Sequence, residues 1–141
     1  MPFLIDTNVI SELRDPRRCH SNVIAWQTTV LRVECYVSVI TLMEIRHGIL
    51  KARRRDAVFA GVLENWYTDQ VKRAFEERVI PVDLAVAERC SLLLGERSRG
   101  LGDALIAATA YVNNLTLVTR NIADFADSGV KLLNPWEASQ S

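Results

Sequence analysis

Cysteine and long apolar runs are both scarce in this sequence. The three cysteines are an odd number and include no CxxC pair, which argues against a disulfide framework and against a structural zinc site. No segment reaches the ~18 apolar residues that a membrane-spanning helix needs. The first apolar run, FLI, ends at Asp6 before the apolar part of a signal peptide could form. We therefore expect a protein of the reducing cytoplasm that does not enter a membrane.

Net charge is missing as well, because 17 Lys and Arg residues balance 17 Asp and Glu residues. A neutral protein does not bind nucleic acid through bulk charge alone. Within the segment RHGILKARRR, however, five Lys and Arg residues occur without an acid. We call Lys51, Arg53, Arg54 and Arg55 the basic strip. Such a strip is typical of a solvated helix end, and it favours phosphate binding only if it borders a ligand site.

Apolar strand patterns alternate with helical patterns along all 141 residues, which predicts a single α/β domain, residues 1–141, with a largely parallel sheet. No repeat, low-complexity segment or linker divides it. The predicted strands are 3–5, 36–40, 79–82, 115–119 and 130–133. The predicted helices are 7–14, 21–30, 41–54, 56–78, a helix capped by Asp83 that ends near Ser98, and 103–113.

Four acids stand where strands end or helices begin. Asp6 follows FLI, Glu44 follows YVSVI, Asp124 follows LTLVT, and Asp103 begins an apolar helix. In open α/β sheets, ligands bind outside the carboxyl ends of the strands. If these strands are neighbours, the four carboxylates converge on one crevice. Oxygen-only ligands of this kind suit Mg²⁺ or Mn²⁺ and not zinc or copper.

Each acid also has a purely structural interpretation. Asp is a preferred helix N-cap, so the sole role of Asp6 or Asp103 could be to accept hydrogen bonds from the first amides of a helix. The segment from Thr41 to Glu44 matches a capping box, which favours a cap for Glu44 taken alone. Spacing does not separate Asp124 from Asp127.

Five segments together resemble the PIN-domain family: FLIDTNVISEL, SVITLMEIRHGI, GDALIAATA, LTLVTRNIADF and VKLLNPW. They are most similar to the VapC-type toxins of bacterial toxin–antitoxin pairs, in the same order and over nearly the whole chain. The resemblance implies a metal-dependent endoribonuclease on a doubly wound parallel sheet of about five strands.

The resemblance also assigns roles to individual residues. It implies that Asp6, Glu44, Asp103 and Asp124 are the catalytic acids and the ligands of Mg²⁺ or Mn²⁺, and it selects Asp124 over Asp127. Asn8 and Thr119 occupy positions that orient the metal ligands or their waters in this family.

An RNA substrate, a small antitoxin and a homodimer are the partners that the resemblance implies. Single-stranded or looped RNA is expected, because its bases and phosphates are accessible to a cleft. The antitoxin's tail is expected to lie in an apolar groove along the early helices. In this chain, six apolar residues are candidates for its lining, and for the last two an ordinary core position is an equal alternative: Ile10, Leu13, Trp26, Leu42, Ile45 and Ile49.

Two other functions compete with this hypothesis. A haloacid-dehalogenase-like phosphatase also carries an Asp after its first strand, but its chemistry requires a second Asp two residues on, where this chain has Asn8. A non-catalytic protein-binding α/β module would use the acids as caps and the basic strip for docking. Cleavage of RNA with and without a chelator separates the three.

Overall fold

The computed structural model describes residues 2–96 and 99–138, and within these residues five parallel strands form one sheet. The strands are β1 Phe3–Ile5, β2 Cys35–Ser38, β3 Val79–Ile80, β4 Thr116–Val118 and β5 Leu132–Leu133. Their order across the sheet is β3-β2-β1-β4-β5. The chain therefore winds outward from β1 first to one side and then to the other, which confirms the predicted doubly wound α/β fold.

Helices connect the strands and cover both faces of the sheet. They are α1 Thr7–Glu12, α2 Ser21–Thr29, α3 Val39–Arg53, α4 Ala57–Trp66, α5 Lys72–Ala74, α6 Leu84–Glu96, α7 Leu101–Val112 and α8 Ile122–Phe125. A 3-10 turn, Arg32–Glu34, precedes β2, and a π-helical segment, Tyr67–Val71, joins α4 to α5.

The core has two layers, because successive residues of a strand point to opposite faces of the sheet. Leu4 and Leu117 pack in the same layer as Ile106 of α7. Ile5 and Val118, one residue further along β1 and β4, pack in the other layer with residues of α1 and α3. Leu4, Leu117 and Val118 have no solvent exposure. Both faces of the central strands are thus largely apolar, and the residues that follow β1 and β4, Asp6 and Thr119, are polar.

The sequence placed the start of α3 too late. Strand β2 ends at Ser38, not at Ile40, and the Oγ of Ser38 accepts a hydrogen bond of 3.0 Å from the amide of Ile40. Ser38 is therefore the N-cap of α3, and Thr41 lies fully buried inside the helix. The capping box predicted for Thr41 and Glu44 is wrong, since Glu44 lies more than a turn inside the helix.

Two further helix boundaries differ from the prediction. The long helix expected over 56–78 is interrupted by the π-helical segment and ends at Ala74. Helix α7 begins at Leu101, two residues before Asp103, because Gly100 in extended conformation is its N-cap. The cap at Asp83 is confirmed by a 3.0 Å hydrogen bond from the amide of Val86 to its Oδ1. The predicted end of that helix at Ser98 lies outside the described residues.

None of the helices in the described ranges has the length and apolarity required to cross a membrane.

Candidate active site

Asp6 lies directly after β1, at the point where the strand order reverses between β1 and β4. Its side chain is buried, with 4% exposure. Oδ1 accepts a hydrogen bond of 2.7 Å from the amide of Thr7, so Asp6 does cap α1. Oδ2 accepts hydrogen bonds from the hydroxyl of Thr119 at 2.8 Å and from the side-chain amide of Asn8 at 3.2 Å. A cap needs only the first of these contacts, and the other two hold the carboxylate in one orientation.

Asn8 and Thr119 are themselves fixed by backbone groups. The Oδ1 of Asn8 accepts a hydrogen bond of 3.2 Å from the amide of Arg120, and the hydroxyl of Thr119 accepts one of 3.1 Å from the amide of Asn121. The register of the sheet pairs Ile5 with Val118, so the residues that follow them meet at the strand ends. The chain thus surrounds Asp6 with donors from α1 and from the segment after β4.

Glu44 reaches the same region from α3. Its Oε1 accepts a hydrogen bond of 2.8 Å from the hydroxyl of Thr7, which is the residue after Asp6. The first turn of α7 lies on its other side, because a Cβ on Gly102 would stand 3.4 Å from Oε2 of Glu44. The first turn of the helix that carries Asp103 is thus in contact distance of the Glu44 carboxylate.

Asp103 and Asp124 occupy equivalent positions, the third residue of α7 and the third residue of α8. Within the described residues, neither carboxylate accepts a hydrogen bond from a backbone amide, and Gly100 and Asn121 are the N-caps. The cap predicted as one alternative for Asp103 is therefore not made. Asp103 is half-buried, whereas Asp124 is exposed.

Charge connects the four acids. Burial raises the pKa of Asp6. Hydrogen bonds from Thr119, Thr7 and Asn8 lower it, but they oppose the effect of burial only in part. Burial also raises the pKa of Glu44, and the charges of Asp6 and Asp103 raise it further, although the bond from Thr7 opposes them. The pKa of Asp103 is raised by burial and by the charges of Asp6 and Asp124, against the charge of Arg99. The charge of Asp6 thus acts on both Glu44 and Asp103, and that of Asp124 acts on Asp103.

The acids share this region without forming a closed ligand set. In residues 2–96 and 99–138, no three His, Cys, Asp or Glu side chains make a group that could hold a metal ion as they stand. Burial, and for Glu44 and Asp103 also the charges of neighbouring carboxylates, raises the pKa values at this site. The donors themselves are carboxylate oxygens, a chemistry that fits a hard divalent cation.

Comparison with known proteins decides the family. The model of the PIN domain matches residues 3–129.

The chain belongs to the PIN-domain family.

Several known proteins match this chain over nearly the full length of both chains. The VapC ribonuclease Y4jK of Sinorhizobium fredii is 34% identical over 144 residues, which cover 96% of this chain and 98% of the relative. The crystal structure of FitAcB from Neisseria gonorrhoeae has a TM-score of 0.84 at 31% identity and covers 95% of this chain and 98% of its own. A toxin–antitoxin complex from Klebsiella pneumoniae has a TM-score of 0.69 at 29% identity, with 96% and 98% covered.

The basic strip lies away from the acids of this PIN domain. Helix α3 begins at the strand ends and runs away from them, so Lys51 and Arg53 lie about 10 and 13 Å beyond Glu44 along the helix axis, at ~1.5 Å per residue. The guanidinium of Arg53 forms an ion pair with Glu64, and all four residues of the strip are exposed. Contact between this strip and RNA phosphates stays a prediction.

A cavity of about 740 Å³ opens between the early helices and the segment that follows α4. Three of the residues predicted for an antitoxin groove line it: Ile10, Leu13 and Trp26. Trp66 and Phe75 also contribute to its apolar wall. Polar side chains also line it, among them Arg32, Asp69, Gln70 and Arg73. The cavity has the mixture of apolar wall and polar groups that suits a peptide segment.

The other three predicted groove residues lie elsewhere. Ile45 and Ile49 are 6% and 2% exposed and belong to the core layer beneath α3, so the groove prediction is wrong for both. Leu42 is half-buried and lines a separate, smaller hollow of about 320 Å³ together with Lys72 and Val79. The i, i+3, i+7 spacing of these three residues marks the inner face of α3, which faces the sheet.

Thr7 and Arg99 are parts of the site that sequence reasoning missed. Thr7 donates a hydrogen bond to Glu44. Burial and the charges of Asp6 and Asp124 raise the pKa of Asp103, and the guanidinium of Arg99 is close enough to lower it. A signal for Thr7 was present, because it directly follows Asp6 in the DTN segment. For Arg99 the sequence carries no such signal, since its burial depends on how the segment before α7 packs.

Proposed function

We propose that this PIN-domain protein is a metal-dependent endoribonuclease that acts as the toxin of a toxin–antitoxin pair. One observation carries the proposal: Asp6, buried at the switch point of the sheet, is oriented by Thr119 and Asn8, and its charge acts on Glu44 and Asp103, two acids from other elements. The ribonuclease name of a relative that matches 96% of the chain supports RNA as the substrate.

Asp6, Glu44, Asp103 and Asp124 are the residues that would hold one or more Mg²⁺ or Mn²⁺ ions. Bound there, a divalent ion would supply an acidified water as nucleophile and neutralise charge on the phosphodiester. The chain's own contribution is orientation. Thr119, Asn8 and Thr7 use their donors to hold two of the carboxylates in place.

RNA binding is expected to depend on the cation. Four carboxylates in one region repel a phosphodiester, and metal ions remove that repulsion. The wall of the site is formed by strand ends and helix starts, so single-stranded or looped RNA can enter it more easily than a duplex can. The basic strip would then contact phosphates away from the bond that is cut.

A small antitoxin is the expected protein partner. One of the similar structures is a toxin–antitoxin complex, which supports such a partner for this chain. We assign the antitoxin's tail to the 740 Å³ cavity, with Leu13, Trp26 and Phe75 as apolar contacts. A homodimer in the cytoplasm remains the family's prediction, and size-exclusion chromatography with light scattering checks the dimer.

The phosphatase alternative is not favoured. It would need an acid at the position of Asn8, whose amide instead donates to Asp6 and whose oxygen accepts from the amide of Arg120. The non-catalytic binding module predicts that the acids are caps, and neither Asp103 nor Asp124 bonds a described helix amide.

RNA cleavage under metal control tests the proposal. The purified protein is incubated with tRNA and total cellular RNA in the presence of Mg²⁺ or Mn²⁺, and in parallel with excess EDTA. We expect cleavage only with metal, and its loss in Asp103→Asn. Asp83→Asn is the matched control, because Asp83 caps α6 and lies outside the acidic site. Cleavage that persists in EDTA, or in Asp103→Asn, contradicts the metal mechanism.

A further inference from the structure

Arg99 forms an ion pair beside the acidic site in which the guanidinium is buried and the carboxylate is exposed. Its Nη2 lies 3.0 Å from Oδ1 of Asp127, and the Arg99 side chain is only 3% exposed, whereas that of Asp127 is 53% exposed. Among the described residues, Nε and Nη1 of Arg99 are buried without a hydrogen-bond partner. A guanidinium rarely lies in this state unless it has another role, because its unpaired N–H groups have lost their water.

The two partners flank the segments that carry two of the proposed metal ligands. Arg99 is the residue before Gly100, the N-cap of α7, and Asp103 is the third residue of that helix. Asp127 comes three residues after Asp124, in the turn that ends α8, where the amide of Ser128 bonds the carbonyl of Phe125. The ion pair therefore links the entrance of α7 to the exit of α8 on either side of Asp103 and Asp124.

Stability alone does not explain this pair. Burial of the Arg99 guanidinium costs desolvation free energy, which offsets its Coulomb attraction to the exposed carboxylate of Asp127. Direct contact with an RNA phosphate does not explain it either, since Nε and Nη1 are covered by protein. What remains is geometry: a guanidinium that is itself held in place by burial fixes the position of the carboxylate that its Nη2 binds.

We propose that the Arg99–Asp127 ion pair is a positioning device that holds the α8 segment, and with it Asp124, opposite Asp103 for cation binding. This inference rests on the proposed metal-dependent function. Arg99 and Asp127 touch neither the cation nor the substrate in this scheme. Their effect reaches the site through the position of Asp124.

Thermal melts with increasing Mn²⁺ test the proposal without relying on activity. A cation that binds the folded state raises the melting temperature, and the concentration dependence of that rise gives its affinity. We expect Arg99→Met to melt near wild type in EDTA but to need about 10-fold more Mn²⁺ for the same rise, as is typical when residues that orient metal ligands are changed. Arg17→Met, which removes a cation from an exposed ion pair with Asp15, should respond as wild type does.

A double-mutant cycle shows whether the two residues act together. Asp127→Asn should weaken the Mn²⁺ response in wild type and weaken it less in the Arg99→Met background, because coupled residues are not additive. If Arg99→Met does not fold, Arg99→Lys takes its place, since it keeps the charge and loses the planar fork. An unchanged Mn²⁺ midpoint in the folded Arg99 variant, or additive effects in the cycle, overturns the positioning role. The absence of any Mn²⁺ response in wild type would instead contradict the proposed function itself.

Discussion

The hydroxyl of Thr119 donates a hydrogen bond of 2.8 Å to Oδ2 of Asp6, between residues that lie 113 positions apart in the sequence. The two residues follow β4 and β1, which are neighbours in the sheet although β2 and β3 come between them along the chain. The reversal of strand order thus creates both the opening at the strand ends and the contact that orients the buried carboxylate. Fold and site share one cause.

Thr119→Val tests this contact, because valine keeps the shape of threonine and removes its hydroxyl. We expect the free energy of unfolding to fall by about 1–3 kcal/mol, since a buried carboxylate loses a donor. We also expect weaker Mn²⁺ stabilisation and slower RNA cleavage. Urea denaturation, Mn²⁺ melts and a cleavage assay give the three quantities. Thr119→Ser keeps the hydroxyl and should retain metal binding, so equal losses in the two variants would speak against the hydrogen bond.

The region of the acids was predictable from the sequence, but their contacts were not. Asp6 and Asp124 follow apolar strands, and parallel strands present their carboxyl ends at one edge of a sheet, so local pattern and topology agree. The bond between Thr7 and Glu44 depends on how α1 packs against α3, and no spacing along the chain encodes that. Family resemblance supplied the choice of Asp124 over Asp127, and the structure adds that Asp127 pairs with Arg99.

The errors in the prediction have physical reasons as well. The local sequence pattern predicts that α3 starts at Thr41, but Ser38 is the N-cap. Val39 and Ile40 therefore belong to the helix, although both residue types are common in strands. The apolar stripe of α3 was assigned to a groove because periodicity identifies a buried face and does not say what covers it. Here the sheet covers Ile45 and Ile49.

Ile49→Ala tests the correction of the groove. Ile49 is 2% exposed in the core, so its truncation should lower the free energy of unfolding by about 2–5 kcal/mol. The adjacent Leu50 is 48% exposed, and Leu50→Ala should change stability by about 0.5 kcal/mol or less. Urea denaturation of both variants makes the comparison. A small effect of Ile49→Ala on the free energy of unfolding would indicate that Ile49 lies on an accessible surface and not in the core.

Leu13→Glu tests the cavity as the site of the antitoxin. Leu13 is half-buried and lines the cavity, so a carboxylate there would oppose the burial of an apolar segment. We expect the affinity for the cognate antitoxin, measured by calorimetry, to fall at least about 10-fold, the equivalent of ~1.4 kcal/mol. RNA cleavage and Mn²⁺ stabilisation should persist.

Val58→Glu is the control for this experiment, because Val58 on α4 is 82% exposed and is not part of the cavity wall. In cells, the antitoxin should neutralise the Val58→Glu protein and fail to neutralise Leu13→Glu. Equal affinity of the antitoxin for wild type and Leu13→Glu would place the antitoxin on another surface.

Asp103→Asn distinguishes a metal ligand from a structural acid by its dependence on pH. Burial, followed by the charges of Asp6 and Asp124, raises the pKa of Asp103 in the folded state, and the charge of Arg99 opposes them. A carboxyl with a raised pKa contributes stability that is complete below its unfolded pKa, ~3.9 for Asp, and is lost as the pH rises through the folded value. In EDTA at pH 7, the wild type has therefore lost this stability, whereas the neutral amide of the variant does not ionise and loses none.

We expect Asp103→Asn to melt at or above the wild-type temperature at pH 7, with the difference shrinking as the pH falls towards 4. Added Mn²⁺ should reverse the order, because the cation stabilises the wild type and the variant lacks one anionic ligand. Melts of both proteins across pH, with EDTA and with Mn²⁺, measure both effects. Equal melting temperatures under all of these conditions would show that Asp103 neither feels the neighbouring acids nor binds the ion.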